Sequence, residues 1–133
     1  MKIEHLSELF REKPEAWSFL LLHSQLTNII DDLIDEDFQR ERLLRAFYIA
    51  SLLYSSDYFL RNRAILLPIE HQIINTYADS VDWETSGEEK KVAAADVIRH
   101  CGQEMVFAVI KLEFGYDMLR QLSGKLREMF LNT

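Results

Sequence analysis

Apolar residues recur along the chain at helical spacing and predict a series of amphipathic helices. The clearest helix spans residues 14–36, because Pro14 suits a first helical turn and Glu15 lies near the positive end of the helix. At about 100° per residue, its apolar stripe comprises Phe19, Leu22, Leu26, Ile29, Ile30 and Leu33. The opposite, polar side carries Ser24, Asn28, Asp31 and Asp35.

The same spacing predicts four more helices, at residues 3–11, 39–61 and 67–83 and from residue 88 to residue 115 or 130. Pro68 suits the first turn of the third of these, and residues 84–89 form the clearest loop, with Ser86 as the N-cap of the next helix. The aromatic-rich 39–61 helix is expected to supply much of the core. Its expected core residues are Leu43, Leu44, Phe47, Leu52, Tyr54 and Phe59.

Composition and length favour an all-α fold, a compact bundle of four to five helices that forms one domain over residues 1–133. The chain has only four Gly and two Pro among 133 residues, too few for the many tight turns of an all-β fold. Hydrophobic residues make up 48% of the sequence, which suffices for a packed core and argues against disorder.

Charge and cysteine content narrow the expected partners and compartment. The chain carries 15 Lys and Arg against 22 Asp and Glu, a net charge of −7, so we expect no nucleic-acid partner. It shows neither a signal peptide nor an apolar run near the roughly 20 residues of a membrane span. The lone cysteine, Cys101, excludes an internal disulfide and is expected as a small core residue. We therefore expect a cytoplasmic protein with no membrane partner.

An acidic run at the end of the 14–36 helix is the strongest chemical feature of the sequence. Asp31 and Asp35 lie one turn apart with Asp32 beside them, and Glu36 and Asp37 follow. Like charges at this spacing destabilise a helix by a few tenths of a kcal/mol per pair, so solvent or a cation must offset them. Carboxylates are ligands that Mg²⁺ prefers. A metal site with Mg²⁺ as cofactor and a solvated helix end are both open, and the solvated end is favoured.

Two further polar faces lie on the later helices. One carries His71, Asn75, Asp79 and Asp82, and the other carries Asp96, Arg99, His100 and Gln103. Both are interpreted first as solvated faces, although His100 could carry a proton near neutral pH. If the helices pack as a bundle, these faces could converge on the acidic run. Asn28, Asn75, Asp79 and His100 would then support the metal or bind the ligand.

The run Asp31-Asp32-Leu33-Ile34-Asp35 resembles the DDxxD motif of the trans-isoprenyl diphosphate synthases and class I terpene synthases. That resemblance implies an all-helical fold and aspartates that hold Mg²⁺ against a substrate diphosphate. Thr76, Ser80 and Glu84 are spaced like the second metal motif of that family, with Thr76 in place of its Asn or Asp. The synthases are more than twice as long, so the resemblance covers two short motifs.

The chain as a whole resembles small all-helical proteins of uncharacterised function from phages and environmental sequences. The matching residues are Asp31 to Asp35, Tyr58-Phe59, Leu66-Leu67-Pro68 and Trp83-Glu84. Ser56-Asp57 stands where an Asn-Pro pair is expected. The helical nucleotide pyrophosphohydrolases are similar in size and fold class, but their paired E-x-x-E and E-x-x-D motifs are missing here.

Two functions are consistent with the sequence. The first is a non-enzymatic interaction or accessory protein that binds a protein partner, with a homodimer left open by the many aromatic residues. The second is Mg²⁺-dependent binding or hydrolysis of a phosphorylated or diphosphate ligand by Asp31 and Asp35, with Asp32 auxiliary. The sequence contains no nucleophile elbow, phosphate-binding loop or zinc motif, so nucleophilic catalysis is not indicated.

Overall fold

The computed structural model describes residues 2–35 and 38–131, and these residues form helices joined by short connections, with no strand among them. The predicted all-α fold class is confirmed. Contacts divide the chain into two compact units, residues 2–63 and residues from 64 onward, and the single domain stays a prediction. The α-helices are α1 (Pro14–Asp35), α2 (Arg40–Ser55), α3 (Asp57–Arg61), α4 (Arg63–Glu84), α5 (Glu89–Ile98), α6 (Gln103–Phe114) and α7 (Tyr116–Leu131).

The first unit is built around α1, which packs against α2 and α3. The helix begins at Pro14, as predicted, and its N-terminal half is apolar on several sides, with Ala16, Phe19 and Leu20 buried. Phe19 lies at the centre of an aromatic cluster, with its ring centroid 5.4 Å from that of Tyr58 and 6.2 Å from that of Phe59. These contacts hold α3 against α1.

The polar side predicted for α1 is wrong at one position. Ser24 is buried, although we expected it on the solvated side with Asp31 and Asp35. Its neighbour His23 is also buried, and the Thr27 hydroxyl donates a hydrogen bond to the Ser24 carbonyl at 3.1 Å. Because the first half of α1 is covered on more than one side, its small and hydrogen-bonded polar residues are enclosed with the apolar ones.

Two predicted elements of this unit are shorter than expected. The helix predicted at residues 39–61 is interrupted at Ser56, whose backbone is extended at φ −65° and ψ 146°. The Ser56 hydroxyl accepts a hydrogen bond from the Phe59 N–H at 3.3 Å and so caps α3. The helix predicted at residues 3–11 is reduced to one 3₁₀ turn, Glu4–Leu6, although the apolar Leu6 and Phe10 are buried on its inner side.

The second unit begins with α4, which starts four residues earlier than the predicted residue 67. Pro68 therefore lies inside the helix. A proline there removes the hydrogen bond to the residue four positions earlier, and Ala64 is exposed, so solvent can hydrate its carbonyl. The loop after α4 forms where we predicted it. Ser86 accepts a hydrogen bond from the Glu88 N–H at 3.2 Å rather than acting as the N-cap of α5.

The long helix predicted from residue 88 is wrong, because three helices and a 3₁₀ turn replace it. The turn, Arg99–Gly102, separates α5 from α6, and His100 has non-helical dihedrals of φ −84° and ψ 17°. Gly115, at φ 91° and ψ 169°, ends α6. The next residue begins α7, which packs against α6. Most of α6 is covered, and its buried residues are Met105, Val106, Phe107, Val109 and Ile110.

Candidate functional site

The acidic run lies at the end of α1, where the predicted continuous helix is present as far as Asp35. Asp31 and Asp35 are therefore one turn apart, Asp32 and Asp35 are exposed, and Asn28 is half-buried. Within residues 2–35 and 38–131, no group of three or more His, Cys, Asp or Glu side chains is placed to hold a metal ion. Glu36 and Asp37 lie outside the described residues. Metal binding by this run stays a prediction.

The polar face of α4 is solvated. His71, Asn75, Asp79 and Asp82 are all exposed, in agreement with the interpretation we favoured for this spacing. The face on the following segment is divided by the 3₁₀ turn, with Asp96 exposed on α5 and His100 half-buried in the turn. A role for Asn75, Asp79 or His100 in ligand binding stays a prediction.

Arg99 connects the start of the 3₁₀ turn to α4. Its guanidinium forms an ion pair with the Glu84 carboxylate, donates a hydrogen bond to the Tyr77 hydroxyl at 3.2 Å and lies 4.9 Å from the centre of the Tyr77 ring. The Arg99 side chain is largely buried, whereas that of Glu84 is about half exposed. This cluster joins two segments of the second unit, and helical spacing could not reveal it because its members are 15 and 22 residues apart.

Thr76, Ser80 and Glu84, which are spaced like the second metal motif of the diphosphate synthases, have different surroundings on α4. Ser80 is fully buried, and its hydroxyl donates a hydrogen bond to the Tyr77 carbonyl at 2.6 Å. The Glu84 carboxylate is paired with Arg99. Thr76 lines a separate cavity. Ser80 and Glu84 are thus engaged in contacts within the second unit, and a metal-binding role for the three residues stays a prediction.

Cys101 is half-buried in the 3₁₀ turn, and its thiol donates a hydrogen bond to the Ile73 carbonyl at 3.4 Å. Burial raises the pKa of the Cys101 thiol from its ordinary value of 9.0 to about 11, and the negative charges of Glu104 and Glu70 act in the same direction. The thiol is therefore protonated at neutral pH, which makes it a poor nucleophile and a poor metal ligand.

A cavity of about 320 Å³ lies in the second unit beside Cys101. Its apolar walls come from α4, α6 and α7, and Gln72, Glu104 and Lys111 lie among the lining residues. Arg127 of α7 pairs with Glu104 at 3.2 Å and lies 4.6 Å from the centre of the Phe107 ring. The cavity is large enough for a small organic molecule. Neither the protonated thiol nor the salt-bridged Glu104 gives it an activated reactive group.

The outer side of α2 is where the exposed residues differ most from the core that we expected. Leu44, Phe47, Tyr48 and Leu52 are 57%, 66%, 64% and 40% exposed, and we call these four residues the outward face. We expected Leu44, Phe47 and Leu52 in the core, which was wrong. The buried residues of α2 are Ala46, Ile49 and Leu53, on the opposite side of the helix. The helix is apolar on two sides, and among the residues that the structure describes only the side of Ala46, Ile49 and Leu53 is buried.

Two serines on the outward side of α2 use their hydroxyl groups within the helix. The Ser51 hydroxyl donates to the Tyr48 carbonyl at 2.7 Å, and the Ser55 hydroxyl donates to the Ser51 carbonyl at 2.6 Å. Both donors are satisfied by the backbone of their own helix. These serines can therefore be covered by another apolar surface without losing a hydrogen bond that their protons need.

Further large apolar residues are exposed on α1 and just before α2. Along one row of α1, Leu26 is buried but Ile30 and Ile34 are exposed, and Phe38 is exposed just before α2 begins. The sequence contains the information that points to this surface, because apolar residues lie on both sides of α2. Periodicity alone could not show which side the chain itself covers.

Comparison with models of protein families, with curated proteins and with solved structures found no match. The resemblances to the diphosphate synthases and to the small phage and environmental proteins therefore stay predictions from the sequence. No helix among the described residues combines the length and the apolar character that are needed to cross a membrane.

Proposed function

We propose that this protein is a non-enzymatic interaction module that binds a protein partner through the outward face of α2. The observation that carries the proposal is the two-sided apolar character of α2. Ala46, Ile49 and Leu53 are buried on one side, while Leu44 and Phe47 are more than half exposed on the other.

The free energy of burial gives the reason for this proposal. Burying a large apolar side chain contributes about 1.5–3 kcal/mol, so leaving four of them exposed on one helix forgoes a substantial part of that stabilisation. Contiguous apolar patches on folded proteins mark interaction sites, whereas apolar residues that are exposed singly are ordinary. Tyr48 suits such a site because its ring can be buried while its hydroxyl stays at the wet edge.

The chemistry of the face indicates the kind of partner. It is the side of a helix of 16 residues, with large apolar groups one turn apart and serines whose hydroxyls are bonded to their own backbone. Such a surface suits the apolar side of another helix, which packs by placing side chains between those of α2. The protein would then work by holding a partner rather than by transforming a substrate.

Photo-crosslinking in cells that produce the protein naturally tests this proposal. Benzoylphenylalanine at position 47 should give a product heavier than the chain alone. The matched control is the same residue at position 97, because Val97 is an exposed apolar residue on α5 of the other unit. Equal yields at the two positions, or no product at position 47, would contradict a binding role for the outward face.

Mg²⁺ binding by Asp31 and Asp35 is the second candidate function, supported by their placement one turn apart on a continuous helix. Two carboxylates with solvent and a phosphate group are a normal coordination set for Mg²⁺. Calorimetric titration of Mg²⁺ with pyrophosphate into the protein should give saturable binding that Asp31→Asn/Asp35→Asn abolishes. No heat of binding at millimolar metal would refute this candidate.

A further inference from the structure

We propose that the cavity of the second unit binds a small apolar monocarboxylate, with the hydrocarbon part inside the cavity and the carboxylate at Lys111. This inference goes beyond the proposed function, because it concerns a different site and a different kind of ligand. It rests on the volume of the cavity, on the placement of polar and apolar residues in its walls and on the distribution of charge along α6.

The walls of the cavity come mainly from one side of α4 and one side of α6. The residues that α6 contributes are Glu104, Phe107, Ala108 and Lys111. They occupy positions i, i+3, i+4 and i+7, a spacing that places side chains on one side of a helix. Four residues of α4 between Ile69 and Thr76 line the cavity at the same spacing. The cavity therefore lies between two regular helix surfaces.

The interior of the cavity is apolar, and its polar side chains are exposed to solvent. Ile73 and Phe107 are buried. The exposed polar residues of the lining are Gln72, Glu104 and Lys111. An apolar interior offers few of the two to four polar partners that a bound water molecule needs, and an apolar cavity of roughly 150 Å³ suffices for benzene. This cavity measures about 320 Å³, so it can accommodate a ring or a short hydrocarbon chain.

Charge is balanced at one end of the α6 surface and unbalanced at the other. Glu104 and Lys111 are the charged residues of the lining, and at 1.5 Å per residue they lie about 10 Å apart along the helix. The Glu104 carboxylate is paired with Arg127 at 3.2 Å. Lys111 forms no ion pair with any residue that the structure describes. A negatively charged group is therefore attracted to the Lys111 end.

This charge pattern favours a monocarboxylate over other amphipathic ligands. A single ammonium group balances one negative charge, whereas a phosphate monoester carries about −1.5 to −2 at neutral pH. An apolar amine would be repelled by Lys111 and would have to compete with Arg127 for Glu104. Gln72 also lines the cavity, and its amide can donate a hydrogen bond to a carboxylate oxygen.

Methyl NMR of the full chain, labelled at the isoleucine δ1 methyl groups, tests the site with octanoate as the probe. Saturable shifts are expected at Ile69 and Ile73, which line the cavity. Ile30 and Ile34 are exposed residues of the first unit and should not respond, so they control for adhesion to any exposed apolar group. No shift at Ile73 with millimolar octanoate, or equal shifts at all four residues, would overturn the proposal.

A lysine substitution tests the contact with the carboxylate. Lys111→Met removes the charge but keeps an unbranched side chain, and it should weaken octanoate binding about fivefold, as for the loss of an exposed ion pair. The matched control is Lys125→Met, because Lys125 is an exposed lysine of α7 outside the cavity. Octanol, which lacks the charge, should bind wild type and Lys111→Met equally. If octanoate binds these two proteins equally, the carboxylate does not lie at Lys111.

Filling the cavity tests its interior. Ala108→Leu adds apolar volume at a half-buried lining position and should weaken octanoate binding about tenfold or more. Ala93→Leu, at an exposed site of α5, should leave the binding unchanged. A series of probes on wild type gives the same information without a substitution. From butanoate to octanoate, each added methylene should tighten binding by up to about fourfold. Affinity that does not depend on chain length would show that the hydrocarbon part is not enclosed.

Discussion

The helices α2 and α6 are both rich in apolar residues, yet only α6 is covered on more than one side. Met105, Val106 and Val109 of α6 are buried, and so are its other large core residues. On α2, Leu44 and Phe47 are exposed although they are no less apolar. The comparison shows that a helix can be apolar on two sides and still have only one of them buried. In α2 one apolar side is buried and the other is exposed.

The largest expected effect comes from removing equivalent apolar volume from the two helices. Ile110→Ala should lower the free energy of unfolding by about 2–5 kcal/mol, because it leaves a cavity in a fully buried site. Leu44→Ala should change it by less than about 0.5 kcal/mol, since that side chain is mainly exposed. Urea denaturation at low protein concentration measures both. Equal losses for the two variants would break the comparison.

A second test compares an ion pair whose arginine is largely buried, Arg99–Glu84, with an exposed ion pair, Arg61–Glu15. Arg99→Met should destabilise the protein by about 1–3 kcal/mol, because it removes the contacts of a largely buried guanidinium with Glu84 and Tyr77. The control is Arg61→Met. Arg61 pairs with Glu15 at 2.5 Å, but both side chains are more than half exposed, so the loss should be about 0–1 kcal/mol. Thermal denaturation of the two variants in the same buffer shows which substitution lowers the stability more.

The end of α2 allows a sharper test with two adjacent serines. Ser56→Ala should cost about 1 kcal/mol, because the Ser56 hydroxyl accepts the Phe59 N–H and caps α3. Ser55→Ala should be nearly neutral, since the Ser55 hydroxyl donates only to carbonyls within its own helix. Chemical denaturation of both variants provides the measurement. A larger loss for Ser55→Ala would show that the break between α2 and α3 does not depend on this cap.

The smallest effect concerns the thiol just before α6. Because burial raises the pKa of Cys101 from 9.0 to about 11, the folded protein holds this proton more tightly than the unfolded chain does. The resulting stabilisation is present below pH 9.0 and is lost as the pH rises from 9.0 to about 11. The rate of alkylation by iodoacetamide should rise near pH 11 in the folded protein and near pH 9.0 in urea. Identical profiles in the two states would contradict this prediction.

The sequence predicted the helical fold class because apolar spacing is a local property of the chain. It located the start of α1 because Pro14 at a first turn is also a local feature. It missed the breaks at Ser56 and at Arg99–Gly102, since helical spacing continues through both segments. A cap or a turn is decided there by single hydrogen bonds and by contacts with distant residues, such as that of Arg99 with Glu84.

The candidate surface was harder to predict than the fold. The acidic run was evident in the sequence, and its position at the end of α1 follows from one helix. The outward face required knowledge of which side of α2 packs on α1, and the two sides contain similar residues. Hydrophobic spacing shows which side chains avoid water, but it does not show whether the covering surface belongs to the same chain.

Gly115 has a consequence for chemical synthesis of the protein. It alone separates α6 from α7, with φ at 91° and ψ at 169°, and the Cβ atom of an L residue there would lie more than 4 Å from every atom outside the two adjacent residues. Space is therefore no obstacle to an L side chain there, and the obstacle is the handedness of natural amino acids at this positive φ. A mirror-image residue, D-alanine, fits these dihedrals. By restricting the unfolded chain, it should stabilise the junction by about 0.4–1 kcal/mol, whereas L-alanine should weaken it.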